Sequence, residues 1–170
     1  DRIHTGFVPL KDLVKDGFTT IEKLQEQKGL VTGVPSGFSD IDKLTSGFQP
    51  ADLVLVAGRP SMGKTSFVLN IAQYVGLKTD RSVGFFSLEM SKEQLFIRML
   101  TAEAEIDAQR FRTGYLSEQD YGKISTVLGR LSEAKVFIDD SFGMGVLEMR
   151  AKARRLKAEH GLDLLVVDYL

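Results

Sequence analysis

The run Gly58-Arg59-Pro60-Ser61-Met62-Gly63-Lys64-Thr65 has the form G-x-x-x-x-G-K-[ST], and its chemistry is the capture of phosphate. Gly58 and Gly63 let the backbone curl until successive N–H groups face an anion. The Lys64 ammonium suits β- and γ-phosphate oxygens, and the Thr65 hydroxyl suits Mg²⁺. Arg59, Pro60, Ser61 and Met62 complete the loop, and Ser66 opens a helical pattern whose N-terminus is aimed at the same anion. Before the loop, Leu53-Val54-Leu55-Val56-Ala57 reads as a buried strand. Strand, turn and helix together imply binding of a nucleoside triphosphate.

Two acids are placed to complete such a site. Asp168 ends the apolar run Leu164–Val167, the pattern of a second metal-coordinating motif, and is expected to bind Mg²⁺ in the outer shell opposite Thr65. Hydrolysis also needs a group that orients or deprotonates water. Glu89 is the candidate, because it follows the strand-like run Ser82–Leu88 at the carboxyl edge where open α/β sheets bind ligands. Phe85, Phe86 and Leu88 are expected to lower the polarity around it. The plainer reading, an acid of a helix first turn, fits Glu93 better. Asp139 and Asp140, at the end of Val136–Ile138, are rivals for the same role, although an Asp-Asp pair often only starts a turn.

The elements that must hold these residues follow from the rest of the chain. Its 170 residues suit one domain, and 43% apolar with 26% charged residues is an ordinary globular balance. No apolar run approaches the roughly 20 residues that span a bilayer, and no secretory signal pattern opens the chain. The absence of cysteine excludes disulfides and thiolate metal sites, is compatible with the cytoplasm, and leaves two isolated histidines as poor metal ligands. A net charge of −1 advertises no nucleic-acid field. The best basic cluster, Arg150, Lys152, Arg154, Arg155 and Lys157, spreads over more than one helical face and reads as solvated surface.

Residues 1–30 read as an arm and residues 31–170 as a core. In the arm, Leu10, Leu13, Val14, Phe18, Ile21 and Leu24 recur at helical spacing, with Gly17 able to kink the pattern. Its apolar stripe needs burial in its own domain, against a preceding domain or on a neighbouring subunit. In the core, Thr32–Phe38 is turn-rich and Ser39–Thr45 suits a short helix. Ser91 with Gln94 and Ser117 with Asp120 have the spacing of helix-opening caps, and the helix from Val146 should stop at Gly161. Four nearly all-apolar runs, each followed by a helix, predict a mostly parallel sheet with helices on both faces. An open edge at Val166 would invite aggregation, so a longer parent protein is expected.

Taken together, the phosphate loop, Phe86-Ser87-Leu88-Glu89-Met90 and Leu165-Val166-Val167-Asp168-Tyr169-Leu170 closely resemble the DnaB-type replicative helicases. Similar stretches are Thr32–Phe38, Leu44–Phe48, Arg112-Thr113-Gly114 and Ile138-Asp139-Asp140. The resemblance implies a RecA-like ATPase core preceded by a linker helix over residues 10 to 28 that docks on the next subunit. It implies a homo-hexameric ring on single-stranded DNA, with primase and a helicase loader as partners. It assigns Lys64 and Thr65 to phosphate and Mg²⁺, Glu89 to activation of water, and Asp168 to the metal. A glutamine sensor, DNA-gripping loops and an arginine finger given in trans are expected beyond the Asp-Tyr-Leu segment. A RecA-like recombinase or clock-type ATPase could use the same loop and sheet, but Ser-Leu-Glu-Met and the arm weigh against it. A nucleotide-binding interaction module without turnover is the alternative for the isolated chain.

Overall fold

A computed structural model of the chain describes Pro9, Leu10, Val14, Ile21 and residues 31–169. Three parallel strands, β1 (Val83–Ser87), β2 (Val136–Asp139) and β3 (Leu164–Asp168), make a sheet in the order β2-β1-β3. The central strand is buried over its whole length, which is why its sequence is apolar without alternation. Its register sets Phe85 opposite Ile138 and Val166, and Ser87 opposite Asp168.

Helices α1 (Ser39–Thr45), α2 (Lys64–Lys78), α3 (Lys92–Glu103), α4 (Ala108–Thr113), α5 (Glu118–Glu133) and α6 (Val146–His160) surround this sheet. Alternation along β1 divides the core between two faces. Val83 and Phe85 meet Leu69, Ala72 and Val75 of α2 and Leu95 and Met99 of α3. Phe86 faces the other way, onto Met144 and Met149 at the start of α6. Leu100, Ala104, Ile106 and Val127 form a smaller cluster among α3, α4 and α5.

The caps expected from sequence are present. Ser91 with Gln94 and Ser117 with Asp120 form reciprocal capping boxes on α3 and α5. Asp120 also accepts a 2.7 Å ion pair from Arg110. Helix α4 adds to the elements expected from sequence; Asp107 caps it by accepting the Arg110 N–H at 2.9 Å, and Gly114 ends it at φ 75°. One polar knot ties three helices on one face of the sheet. Glu103 of α3 accepts from Gln73 of α2 at 3.0 Å and pairs with Lys78 at 3.5 Å and with Arg130 of α5 at 2.5 Å.

The lead-in from residue 31 docks on α2. Val34 and Phe48 pair as an antiparallel bridge, and both the Ser36 N–H and hydroxyl donate to Asp42 at 2.7 Å. Gly37, at φ 82°, lies so close over the Tyr74 ring that a Cβ would strike it. Phe38 stacks on Phe67 with centroids 5.0 Å apart.

The expected strand at Leu53–Ala57 is a correction, because the described residues hold three strands where four apolar runs occur. Residues 53–57 carry no ladder, and Leu53 and Leu55 are 85% and 82% exposed. Apolar character makes a segment seek burial, but a strand also needs a hydrogen-bonding neighbour about 4.8 Å away. Here a cleft of 320 Å³ separates Leu53–Val56 from Leu164–Asp168. In the arm, Leu10, Val14 and Ile21 are helical and exposed; Leu13, Phe18 and Leu24 lie outside the described residues. No described helix is long and apolar enough to cross a membrane.

The tightest helix–sheet contact predicts a stability effect. A Cβ at Gly76 of α2 would overlap the Val136 side chain of β2. Alanine in a helix interior ordinarily gains about 1 kcal/mol over glycine. Overpacking a closed core costs about 1–3 kcal/mol, and a β-branched strand residue has little freedom to yield. Gly76→Ala should therefore lower the urea midpoint, and a raised midpoint would show that the sheet gives way easily.

Candidate functional site

The loop from Gly58 to Gly63 leads into α2 without a conventional cap. Ser61 and Gly63 both take left-handed backbone, at φ 63° and 86°, and the Met62 N–H donates to the Arg59 carbonyl at 3.3 Å. Nothing lies within 4 Å of a Cβ built on Gly63, so its glycine serves the backbone angle and not a crowded space. No side chain caps α2, and its first turn holds no acid. The first-turn amides of a helix have no intrahelical acceptor, so this end is left open to an anion. Lys64 and Thr65 are half-buried at that end, and Gly58, Arg59, Pro60, Ser61, Met62, Gly63 and Ser66 are exposed.

Asp168 closes the other side of the cleft that Lys64 lines. It is 5% exposed at the carboxyl end of β3, and its carbonyl accepts the Leu88 N–H at 2.7 Å. Its Oδ2 is buried with no hydrogen-bond partner. A buried carboxylate oxygen left unmatched is costly, and a cation is the natural match. Among the described residues no group of three or more Asp, Glu, His or Cys side chains could hold a metal. A cation here would draw few protein ligands and fill its shell from water and phosphate, which is the habit of Mg²⁺. Asp168 therefore fits that ion, whereas Thr65, one residue on from Lys64, is not among the residues that line the cleft.

Glu89 lies in the bend after β1, whose last residue, Ser87, is in register with Asp168. The bend is held by Ser87, whose hydroxyl donates to the Met90 carbonyl at 2.6 Å and accepts the Met90 N–H at 3.3 Å. The apolar surroundings expected for Glu89 are absent: it is exposed. Successive strand side chains face opposite ways, so Phe85 and Phe86 enter the two core layers and leave the carboxylate in solvent.

The rival acids are engaged elsewhere. Asp140 accepts the Lys92 N–H at 3.0 Å at the start of α3, and that bond, with the nearby Lys92 ammonium, holds its carboxyl below the usual range. Burial pushes Asp139 upward, but hydrogen bonds from Lys152, at 2.8 Å, and from Ser141 outweigh it and leave the carboxyl lowered. Both are ionised and occupied as structural anions. In the basic cluster, Lys152 pairs with Asp139 and Glu148, and Arg155 pairs with Glu159. Arg150, Arg154 and Lys157 are exposed, in keeping with solvated surface.

One neighbour of the site escaped sequence reasoning. The Lys64 ammonium sits 4.9 Å from the centroid of the Tyr169 ring. The only signal was adjacency to Asp168.

A loop built for phosphate, a lysine and an unmatched aspartate in one cleft, and a free carboxylate on the same sheet edge suit hydrolysis of a nucleoside triphosphate. Residues 33–170 match the family model of the DnaB-like helicase C-terminal domain. The chain is 52% identical over 166 residues to the replicative DNA helicase DnaC of Bacillus subtilis, covering 98% of this chain and 37% of that protein. It is 51% identical over 170 residues to the replicative DNA helicase DnaB of Geobacillus stearothermophilus, covering 99% and 37%. A solved structure described as an ATPase domain superposes with a TM-score of 0.86 at 35% identity, covering 93% of this chain and 57% of that one. A solved DnaB-like replicative helicase, described with its interactions with primase, superposes with a TM-score of 0.83 at 32% identity, covering 96% and 39%. The chain thus spans 37% of the length of these curated relatives. With a RecA-like sheet and a family match that takes in both the phosphate loop and Asp168, the chain belongs to the DnaB-like helicase C-terminal domain family.

Proposed function

We propose that this chain is the nucleotide-binding core of an ATP-driven replicative DNA helicase. The observation that carries the reading is the buried, unmatched Asp168 oxygen in the cleft lined by Lys64. In this reading the loop amides, with Arg59, Pro60, Ser61, Met62 and Ser66, cradle the phosphates of ATP. Lys64 neutralises charge that develops on the β- and γ-oxygens, and Thr65 and Asp168 hold Mg²⁺. When bound, Mg²⁺ supplies further neutralisation of the phosphate oxygens. Glu89 accepts a proton from water as the water oxygen attacks the γ-phosphorus and the bond to the β–γ bridging oxygen breaks.

The same reading makes residues 1–30 a linker arm and residues 31–170 the ATPase core. Exposed Leu10, Val14 and Ile21 supply an apolar stripe for a neighbouring subunit, which supports a homo-hexamer joined through the linker helix. Single-stranded DNA is the track, primase and a helicase loader are the partners, and the cytoplasm is the compartment. The test is ATPase activity of the full-length protein with and without single-stranded DNA, beside unwinding of a forked duplex. DNA-stimulated turnover with unwinding is the expected result. Turnover that DNA leaves unchanged, with no unwinding, would favour a nucleotide-binding module.

A further inference from the structure

The exposed carboxylate of Glu89 has no packing to orient it, but the chain on either side of it is tied down. Before it, the Leu88 N–H donates to the Asp168 carbonyl at 2.7 Å, and the Leu88 side chain packs against the layer of Phe86, Met144 and Met149. After it, Met90 packs on the opposite layer, that of Val83 and Phe85. Ser87 closes the bend between them. Its hydroxyl donates to the Met90 carbonyl at 2.6 Å and accepts the Met90 N–H at 3.3 Å, so residues 88–90 are latched onto the last residue of β1. Ser87 is 1% exposed and stands in register with Asp168. The hydroxyl thus donates and accepts inside the bend, where water does not compete.

We propose that Ser87 is a positioning residue for Glu89: its hydroxyl sets the bend that carries the acid and keeps it in register with Asp168. The inference rests on the reading of Glu89 as the base given above. A general base acts only within hydrogen-bond reach of the proton it takes. For a side chain in solvent, the backbone is the part that the fold can fix. The register of β1 with β3 ends at Ser87, and past Leu88 the serine latch takes over from strand pairing. The latch is not needed to begin α3. That helix has its own start, in the Ser91–Gln94 capping box and in Asp140, which accepts the Lys92 N–H. What Ser87 holds is the segment between strand and helix, and Glu89 is its central residue.

The test is single-turnover ATP hydrolysis by the full-length protein, beside its affinity for a fluorescent ADP analogue with Mg²⁺. Ser87→Ala should lower the hydrolysis rate about 10- to 100-fold, the cost of displacing a reacting group by about 1 Å. Affinity for the analogue should be unchanged. In a Glu89→Gln background the same substitution should add nothing, because both changes then act on one group. A normal rate in Ser87→Ala overturns the inference. So does an affinity loss as large as the rate loss, which would make Ser87 a support of the whole nucleotide site. A further loss in the double variant overturns it as well, because Ser87 would then act by another route. If Ser87→Ala does not fold, Ser87→Cys keeps a similar size with a far weaker donor. It should show a smaller rate loss and the same silence beside Glu89→Gln, and a rate equal to the parent's overturns the inference. The two levels separate cleanly. An active Glu89→Gln sinks the base reading itself; an inactive Glu89→Gln beside an unaffected or additive Ser87→Ala sinks only the role of Ser87.

Discussion

Glu89→Gln in the full-length protein should bind ATP and lose about 10²–10⁴-fold in turnover, the usual contribution of a positioned general base. The substitution keeps size and hydrogen-bonding reach and removes only the group that takes the proton. Exposure of Glu89 makes the result cleaner, because no core contact is disturbed. Asp139→Asn and Asp140→Asn serve as controls with a distinct expected signature. Their carboxylates hold Lys152 and the start of α3, so their loss should lower the melting temperature while turnover per folded molecule changes little. Single-turnover hydrolysis beside calorimetric melting decides between them. An active Glu89→Gln beside an inactive, fully folded Asp139→Asn or Asp140→Asn would move the base to the end of β2.

Lys64→Ala should abolish nucleotide binding or turnover while leaving the melting temperature nearly unchanged. The ammonium makes no ion pair among the described residues, and its one aromatic contact lies at an exposed ring. Charge-assisted hydrogen bonds to phosphate are roughly twice as strong as neutral ones, and here they act where charge develops. Normal ATPase activity in the variant would end the phosphate-loop assignment. A variant that melts far earlier than the parent would show that Lys64 also serves the fold.

The parts of the fold that were legible in sequence are those decided locally or by burial on both sides. Ser91 and Ser117 each find a partner three residues on, so their caps need no knowledge of the tertiary fold. Val83–Ser87 is apolar throughout because both faces of the central strand are covered. Residues 53–57 have the same composition but a different setting, and composition cannot report whether a hydrogen-bonding neighbour stands beside a segment. The exposure of Glu89 was missed for a related reason: apolar residues next to it in sequence project to opposite faces and cannot enclose it. The engagement of Asp139 by Lys152, thirteen positions away on a helix, depends on how α6 lies on the sheet. Lys64 and Tyr169 meet across more than a hundred residues, a proximity that no spacing rule reports.

The knot at Glu103 has a mechanical consequence. Helix α2 begins at the phosphate loop and α3 begins just after Glu89, so each has one end at the chemistry. Away from the chemistry the two are pinned to one carboxylate, with Arg130 of α5 pinned there as well. They form a wishbone, stiff in the limbs and joined at the base. Gln73 stands nine residues beyond Lys64, a lever arm of about 14 Å along a helix. A shift of about 1 Å at the phosphate end then becomes a tilt of about 4° for the whole block, as that arm dictates. The turns at residues 58–63 and 88–91 lie outside that frame, the first with left-handed backbone at Ser61 and Gly63 and the second held by the Ser87 hydroxyl. In the proposed reading, a displacement over the phosphates would leave this core as a rotation of the frame that Glu103 joins.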